Sequence, residues 1–416
     1  MTEKAPLSHR DTCRLCGGTE LSRVLSLPPT PPANAFVAEN RLAEPQPAYP
    51  LDVWFCEGCA HVQLLDVVDP RVLYEEYVYV SGTSPVFVAH FTDYAASVIA
   101  DFELAPDDLV VDIGSNDGTL LKFFKTAGYS VLGIDPAVDI ARQATEYGIE
   151  TRPEFFTRSL AEMIRKERGP AAAITANNVF AHTDDLSEIT EGVHHLLHDD
   201  GLFVFEVSYL VDVVGKVLFD MIYHEHLAYH TVKPLRQFLT RYGLELFQVQ
   251  RVDTHGGSIR VYAQHKGGPY RADGSVEALI ELEAQCGLDR AKTFKDFATQ
   301  IDSLKTELGG VLRSLCVDGR SIAGFGAPAK ATTLMYHFDL GPEIMSFIVD
   351  DNPLKQGLYS PGMHIPILPS SELYRRQPDY TVVLAWNFAN SILKDHTKYQ
   401  SNGGHFIVPL PKLVTY

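Results

Sequence analysis

Residues 109–136 read LVVDIGSNDGTLLKFFKTAGYSVLGIDP, and no other stretch restricts the fold as tightly. A short apolar run ends in a glycine-bearing turn, a helix-period pattern follows, and a second apolar run ends in Asp135. Strand, turn, helix, strand is the opening of a parallel, doubly wound α/β sheet. AAAITANNV (171–179) and GLFVFEVSY (201–209) are further strands; LFQVQRVDTH (246–255) and SIRVYAQH (258–265) follow each other closely enough for an antiparallel edge hairpin. The rhythm restarts at SIAGFGAPAKATTLMYHF (321–338) and runs through IMSFIVDDNP, YTVVLAWNF and HFIVPLP, so a second, Rossmann-like βαβ sheet is expected. Between them, 275–316 has helical spacing and reads as a connector; FVAHFTDYAASVIADF, ahead of the first sheet, reads as a helix. A chain of 416 residues exceeds one core. The expected units are 1–75, 76–268, 269–318 and 319–416.

The first 75 residues carry C-R-L-C-G-G, with Cys13 and Cys16, and F-C-E-G-C-A, with Cys56 and Cys59. Two C-x-x-C pairs are the spacing of a structural tetrahedral zinc site. Redox dithiols are the alternative, and they do not need two pairs. The intervening SLPPTPPANAF reads as an irregular loop, so the zinc is expected to hold this domain together in place of a core. A glycine at each knuckle would let the backbone turn around the ion. Cys286 and Cys316 stand alone and read as core thiols.

A net charge of −18 opposes a general affinity for nucleic acid or an anionic membrane. No run approaches the roughly 20 apolar residues of a membrane span. The polar start MTEKAPLSHRD lacks the apolar core of a signal peptide, so a cytoplasmic protein is expected.

The two glycine turns differ in what they could hold. In V-D-I-G-S-N-D-G, Gly114 permits close approach of a ligand and Gly118 a tight helix entry, while Asp135 could accept both ribose hydroxyls of a nucleoside. A dinucleotide pyrophosphate would want G-x-G-x-x-G, and Asp112 and Asp117 would repel it. D-x-G-x-x-x-G instead suits S-adenosylmethionine (SAM), which carries an ammonium and a sulfonium; NAD and a turn that binds nothing are the alternatives. Asn116 and Asn177 complete the candidate cofactor set. In G-F-G-A-P-A-K no acid intrudes, and Gly326 with Lys330 at a helix start could hold a phosphate. A plain tight turn is the competing reading.

MIYHEHLAYH (221–230) concentrates Tyr223, His224, Glu225, His226 and His230 in ten positions. It follows a strand on the side where ligands meet open α/β sheets, and His182 in NNVFAHTDD leaves the end of the preceding strand. Both should reach one crevice. A catalytic metal is disfavoured because no H-E-x-x-H order is present, and a structural cluster remains open. Acid–base work fits best: an imidazole takes protons near neutral pH, as methylation at carbon requires. Upstream, YEEYVYVSGTSPVF places Tyr77 and Tyr79 on one face, as interdomain packing or as a wall of the site.

In this order the chain carries C-x-x-C…C-x-x-C, Y-x-Y-x-S-G-T-S, D-I-G-S-N-D-G, Y-H-E-H-L-x-Y, H-G-G-S-I-R-V and G-x-G-A-x-A-K. Together they resemble the sugar C-3′-methyltransferases of antibiotic deoxysugar biosynthesis, over nearly the whole length. The resemblance implies a zinc-containing, SAM-dependent enzyme that methylates C-3′ of a dTDP-linked 4-keto deoxysugar. It implies His226 as the base, Tyr223 and Glu225 positioning the sugar, His182 assisting and Tyr77 reaching the sugar from the N-terminal side. Asp135 and the Gly114 turn would hold SAM, with the second α/β unit helping to hold the nucleotide. Tyr79, His224, Arg260, Gly326 and Lys330 are the further substrate contacts expected; His255 in HGGSIR would be structural. A monomer or weak oligomer is expected. The rival functions are O- or N-methylation of another small metabolite and a zinc-ribbon binding protein whose α/β units are scaffolds.

Overall fold

The computed structural model describes residues 6–74, 82, 85–102 and 104–416. Tyr77 and Tyr79 lie outside these, as does the side chain of His255.

The central sheet has seven strands in the order Leu244–Val252, Ser258–His265, Leu197–Ser208, Ala171–Asn177, Leu109–Ile113, Ser130–Ile134 and Thr151–Arg152. Its strands run parallel except Ser258–His265, which is antiparallel to both neighbours. The hairpin expected at the edge therefore folds inward: its second strand inserts beside Leu197–Ser208, and its first becomes the edge. Alternate side chains feed opposite faces, as pleating requires. Val111, Phe203 and Phe205 enter one core, while Val110, Leu202 and Val204 enter another under the helix Pro85–Asp101.

A six-stranded sheet lies in the C-terminal part, ordered Ile367–Leu368, Ile348–Val349, Ile322–Phe325, Tyr380–Val383, His405–Val408 and Val414–Thr415. Its strands are parallel until the last pair. The helical stretch before it forms two helices, Ser275–Gln285 and Ala291–Val317. The longer one buries Phe294, Phe297, Ile301, Leu308 and Leu312, a single stripe at helical spacing. Cys286 and Cys316 do not join any core; both are exposed at helix ends.

The N-terminal part corrects two expectations. SLPPT is no loop: Leu21–Thr30 is a ten-residue strand paired with Tyr49–Cys56. It tolerates Pro28 and Pro29 because it is the outer strand, and the register slips between Leu27 and Thr30, where the missing N–H groups fall. Nor does the metal site substitute for a core. Val53, Phe55 and Leu64 share one buried cluster with Phe294 and Ile322, and the rings of Phe55 and Phe294 lie 5.6 Å apart. This four-stranded sheet is completed at its other edge by Ala228–Tyr229, from the histidine-rich segment, against Val62–Leu64.

Candidate active site

One cavity of about 790 Å³ takes walls from around the N-terminal, central and C-terminal sheets. That is room for a nucleoside cofactor and a second small molecule.

At one end, the strands Leu109–Ile113 and Ser130–Ile134 present their carboxyl ends to the cavity. Gly114 is left-handed (φ 71°), and a Cβ there would meet Val179 Cγ2 at 2.5 Å, so only glycine makes this turn. Asp135 accepts the N–H groups of Asn116 and Ala137, both at 2.9 Å, which fixes its carboxylate across the strand tips. Burial raises its pKa, against those two N–H groups. Asp112 lies deeper, accepting the Thr175 hydroxyl at 2.6 Å, and burial pushes it up to about 7. Ser115 Oγ and both polar atoms of Asn177 are buried at the cavity wall without a partner among the described residues. Unsatisfied groups of this kind suit a polar ligand. Acidic groups set to take ribose hydroxyls and an ammonium fit SAM.

Two cofactor candidates have other duties. Asp117 lines the cavity, yet it caps the next helix through Thr119 and accepts the N–H of Gly82 at 3.0 Å. Gly118 does not line the cavity; it is left-handed and jammed against Ile149, 2.8 Å from where its Cβ would stand.

Deeper in, His226, Tyr223, Glu225 and His182 converge. His226 Nδ1 donates to the carbonyl of Met221 at 2.7 Å, so the neutral ring carries its lone pair on Nε2. Its ring lies 4.0 Å from that of Tyr223 and 4.9 Å from that of His182. The two loops are zipped together, because the N–H of Leu227 donates to the carbonyl of Ala181 at 2.7 Å. Glu225 accepts from Asn34 Nδ2 at 2.9 Å, and burial pushes its carboxyl up to about 7.

The other two histidines of the segment leave the site. His224 is buried against the N-terminal sheet, its Nε2 donating to the Tyr49 carbonyl at 3.1 Å, and it does not reach the cavity. The substrate role expected for it is overturned. His230 Nε2 donates to the Phe180 carbonyl at 2.9 Å, and its ring stacks on His61. Burial holds both His224 and His230 down at about 4. Three imidazoles tied to three separate carbonyls form no metal site. Among the described residues, only the four cysteines could ligate an ion.

Arg260 is likewise no diphosphate contact. It is buried in the central sheet, its Nε bonded to Glu206 at 2.7 Å and its guanidinium 4.0 Å over the Tyr94 ring. The second glycine turn also differs from expectation. Gly326 is absent from the wall; it is left-handed (φ 85°), and a Cβ would meet Ala385 Cβ at 2.5 Å. An acid does intrude, since Asp350 accepts the N–H of Ala327 at 2.6 Å. Lys330 reaches the cavity, but Asp220 lies 3.4 Å from its Nζ, and Trp386 lies beneath it at 4.4 Å. Lys355, overlooked in the sequence, also lines the cavity, its Nζ donating to the Ala327 carbonyl at 2.8 Å. It lies six residues beyond the strand Ile348–Val349, where Asp350 holds the position that Asp135 has in the first sheet. No such signal marked Asn34, which reaches Glu225 from 191 positions away.

The cysteine sulfurs lie within 4.8 Å of one another, with Cys13 and Cys59 at 3.7 Å and Cys16 and Cys56 at 3.5 Å. A ZnS₄ tetrahedron with bonds of ~2.3 Å has edges of about 3.8 Å, so the quartet fits zinc. The first knuckle turns at left-handed Gly17, but the second turns at Ala60 (φ 65°), not at Gly58.

Three family models cover most of the chain: "Putative zinc binding domain" over 13–74, "Methyltransferase domain" over 87–249 and "C-methyltransferase C-terminal domain" over 253–411. The chain is 35% identical over 402 residues to "C-methyltransferase NovU" of Streptomyces niveus, covering 97% of this chain and 96% of that protein. Among solved structures, a SAM-dependent methyltransferase of Clostridium acetobutylicum matches with a TM-score of 0.36 and 14% identity, over 44% of this chain and 92% of the other. Magnesium protoporphyrin IX methyltransferase of Synechocystis, solved with bound SAM, matches with a TM-score of 0.33 and 18% identity, over 46% of this chain and 88% of the other.

Proposed function

The chain belongs to the SAM-dependent C-methyltransferases, and on that premise we propose that it methylates C-3′ of a dTDP-linked 4-keto deoxysugar in antibiotic sugar biosynthesis. The observation that carries this reading is His226, oriented by Met221 O, in one cavity with Asp135.

When bound, SAM supplies an electrophilic methyl group. Asp135, Asp112, Asn116, Asn177 and the Gly114 turn would hold it at the strand ends. A 4′-ketone acidifies the C-3′ hydrogen, and His226 Nε2 takes that proton; the electron pair enters the ketone as an enolate. The Met221 carbonyl holds Nδ1–H in place throughout, and it steadies the imidazolium that results. Tyr223 and His182, whose rings flank His226, supply donors for the enolate oxygen. Glu225, which burial keeps protonated below about pH 7, then positions the sugar by hydrogen bonding. Lys355 and Lys330 give the C-terminal wall its positive charge, which suits the diphosphate of the nucleotide.

The working units of this reading are a zinc-binding 1–75, a methyltransferase 76–268, a connector 269–318 and a nucleotide-sugar unit 319–416. A monomer or weak oligomer completes this reading. A net charge of −18 speaks against nucleic acid as a partner, and an all-cysteine metal site supports a reducing cytoplasm. No described helix is long and apolar enough to cross a membrane.

The test is deuterium wash-in. Protein, dTDP-4-keto-deoxysugar and S-adenosylhomocysteine are incubated in D₂O while the C-3′ proton is followed by NMR. Exchange above the protein-free control, abolished in His226→Asn, is the expected result. Absence of both exchange and a methylated product mass with SAM would reject the substrate.

A further inference from the structure

We propose that Arg14, the residue after the first zinc-ligating cysteine, is a positioning residue that ties the zinc knuckle to the two loops bearing His182 and His226. The inference rests on the acid–base reading of those histidines given above.

Arg14 is an unlikely residue to bury, and its side chain is fully buried. Burial holds its pKa down, to about 10, with the neighbouring Arg10 charge acting the same way and Asp184 against it. An interior guanidinium persists only where acceptors surround it. Four are present. Nη1 donates to Gln63 Oε1 at 3.2 Å, to the Leu64 carbonyl, and to the Leu227 carbonyl at 3.3 Å. On the other side, Nε donates to Asp184 Oδ1 at 3.1 Å, and Nη2 stands 3.0 Å from the same oxygen.

These acceptors are not scattered. Leu227 follows His226 directly, and its carbonyl also takes the N–H of Leu64 at 2.9 Å. Asp184 lies two residues beyond His182, lines the cavity, and takes a second cation from Arg10 at 3.1 Å. The N–H of Leu227 in turn grips Ala181, next to His182. Arg14 thus closes a ring of bonds around the histidine pair. Its backbone is anchored where Cys13 joins the metal site, and its own N–H is held by Gln63 Oε1 at 3.0 Å. Arg14 acts on the reaction through the placement of the two histidines.

The consequence is that the knuckle sets the separation of His182 and His226. A misplacement of about 1 Å at a catalytic group can cost ~10²-fold in rate.

The experiment compares full-length, zinc-loaded wild type with Arg14→Gln by hydrogen–deuterium exchange, without sugar, and by steady-state kinetics with it. Expected is exchange about tenfold faster or more in peptides covering 180–184 and 222–230, with the knuckle peptides and zinc content unchanged. Turnover should fall about tenfold or more while the KM for SAM stays within about twofold, and Arg14→Lys should recover part of the loss. Wild-type protection of both loops, or faster exchange spread evenly along the chain, would overturn the inference. Should Arg14→Gln not fold, Asp184→Asn must give the same confined pattern, and its absence has the same meaning. The exchange measurement needs no substrate. A wild type that ignores the dTDP-sugar yet shows the confined difference would sink the substrate reading and leave Arg14 in place.

Discussion

His224 and His226 stand two positions apart and face opposite ways: His224 donates to the Tyr49 carbonyl in the N-terminal sheet, His226 to the Met221 carbonyl beside the cavity. One imidazole is buried against a sheet, and its near neighbour lines the cavity. His226→Asn should lower turnover by about 10²–10⁴-fold and leave SAM affinity within about twofold of wild type. His224→Asn should instead lower the melting temperature, leaving the Tyr49 carbonyl without its donor, with turnover per folded molecule little changed. Calorimetric SAM titration, thermal unfolding and product mass separate the two.

Glu225 makes stability depend on pH in a defined direction. Burial raises its folded pKa to about 7 from an ordinary 4.5, so the native state holds the proton more tightly than the unfolded chain. Its contribution is therefore fully present below the unfolded value and is lost as pH rises through the folded one. The loss above neutrality is on the order of 3 kcal/mol. Glu225→Gln removes the titration, so the difference in melting temperature between variant and wild type should grow in the variant's favour from pH 5 to pH 8. A flat difference would place a charged carboxylate there instead.

Chelation of zinc should abolish turnover without unfolding the chain. The N-terminal sheet shares a core with Phe294 and Ile322, which does not depend on the ion, but the ion sits at the root of the knuckles. Far-ultraviolet circular dichroism should fall only modestly on zinc removal, while activity is lost and returns with zinc. Collapse of the whole spectrum would mean that the metal carries the fold.

Asp135→Ala should weaken SAM binding about tenfold or more, since it removes the proposed ribose acceptor together with the partner of two backbone N–H groups. Calorimetry reads this directly. Unchanged affinity would move the cofactor away from the strand ends.

At the second glycine turn, Gly326→Ala should cost about 1–3 kcal/mol in urea unfolding, through a left-handed φ and contact with Ala385, with little change in KM for the sugar nucleotide. Lys355→Met should do the reverse, raising KM with stability nearly intact. A large KM change in Gly326→Ala would return that turn to the binding site.

What the sequence determined by itself lies in features set over short distances. The order of strand, glycine turn, helix and Asp135 specifies the first βαβ unit, because a left-handed turn and a period of 3.6 are properties of adjacent residues. Two C-x-x-C pairs specify a metal clamp for the same reason, and the polar density of 221–230 pointed to a segment that lines the cavity. Only the tertiary structure decided which of those polar groups face the cavity. His224 and Arg260 were chemically plausible ligands, but a neighbouring sheet and Glu206 claimed them. Lys330 meets its counter-charge at Asp220, 110 residues earlier, and Asn34, in the turn after the strand Leu21–Thr30, meets Glu225. Proline and cysteine were misread in the same way: Pro28 and Pro29 fit a strand because that strand is an edge, and Cys286 and Cys316 lie exposed because of where two helices end. Pairing across hundreds of residues depends on how sheets stack. No local pattern encodes it, since each partner is chemically complete until the fold brings the other to it.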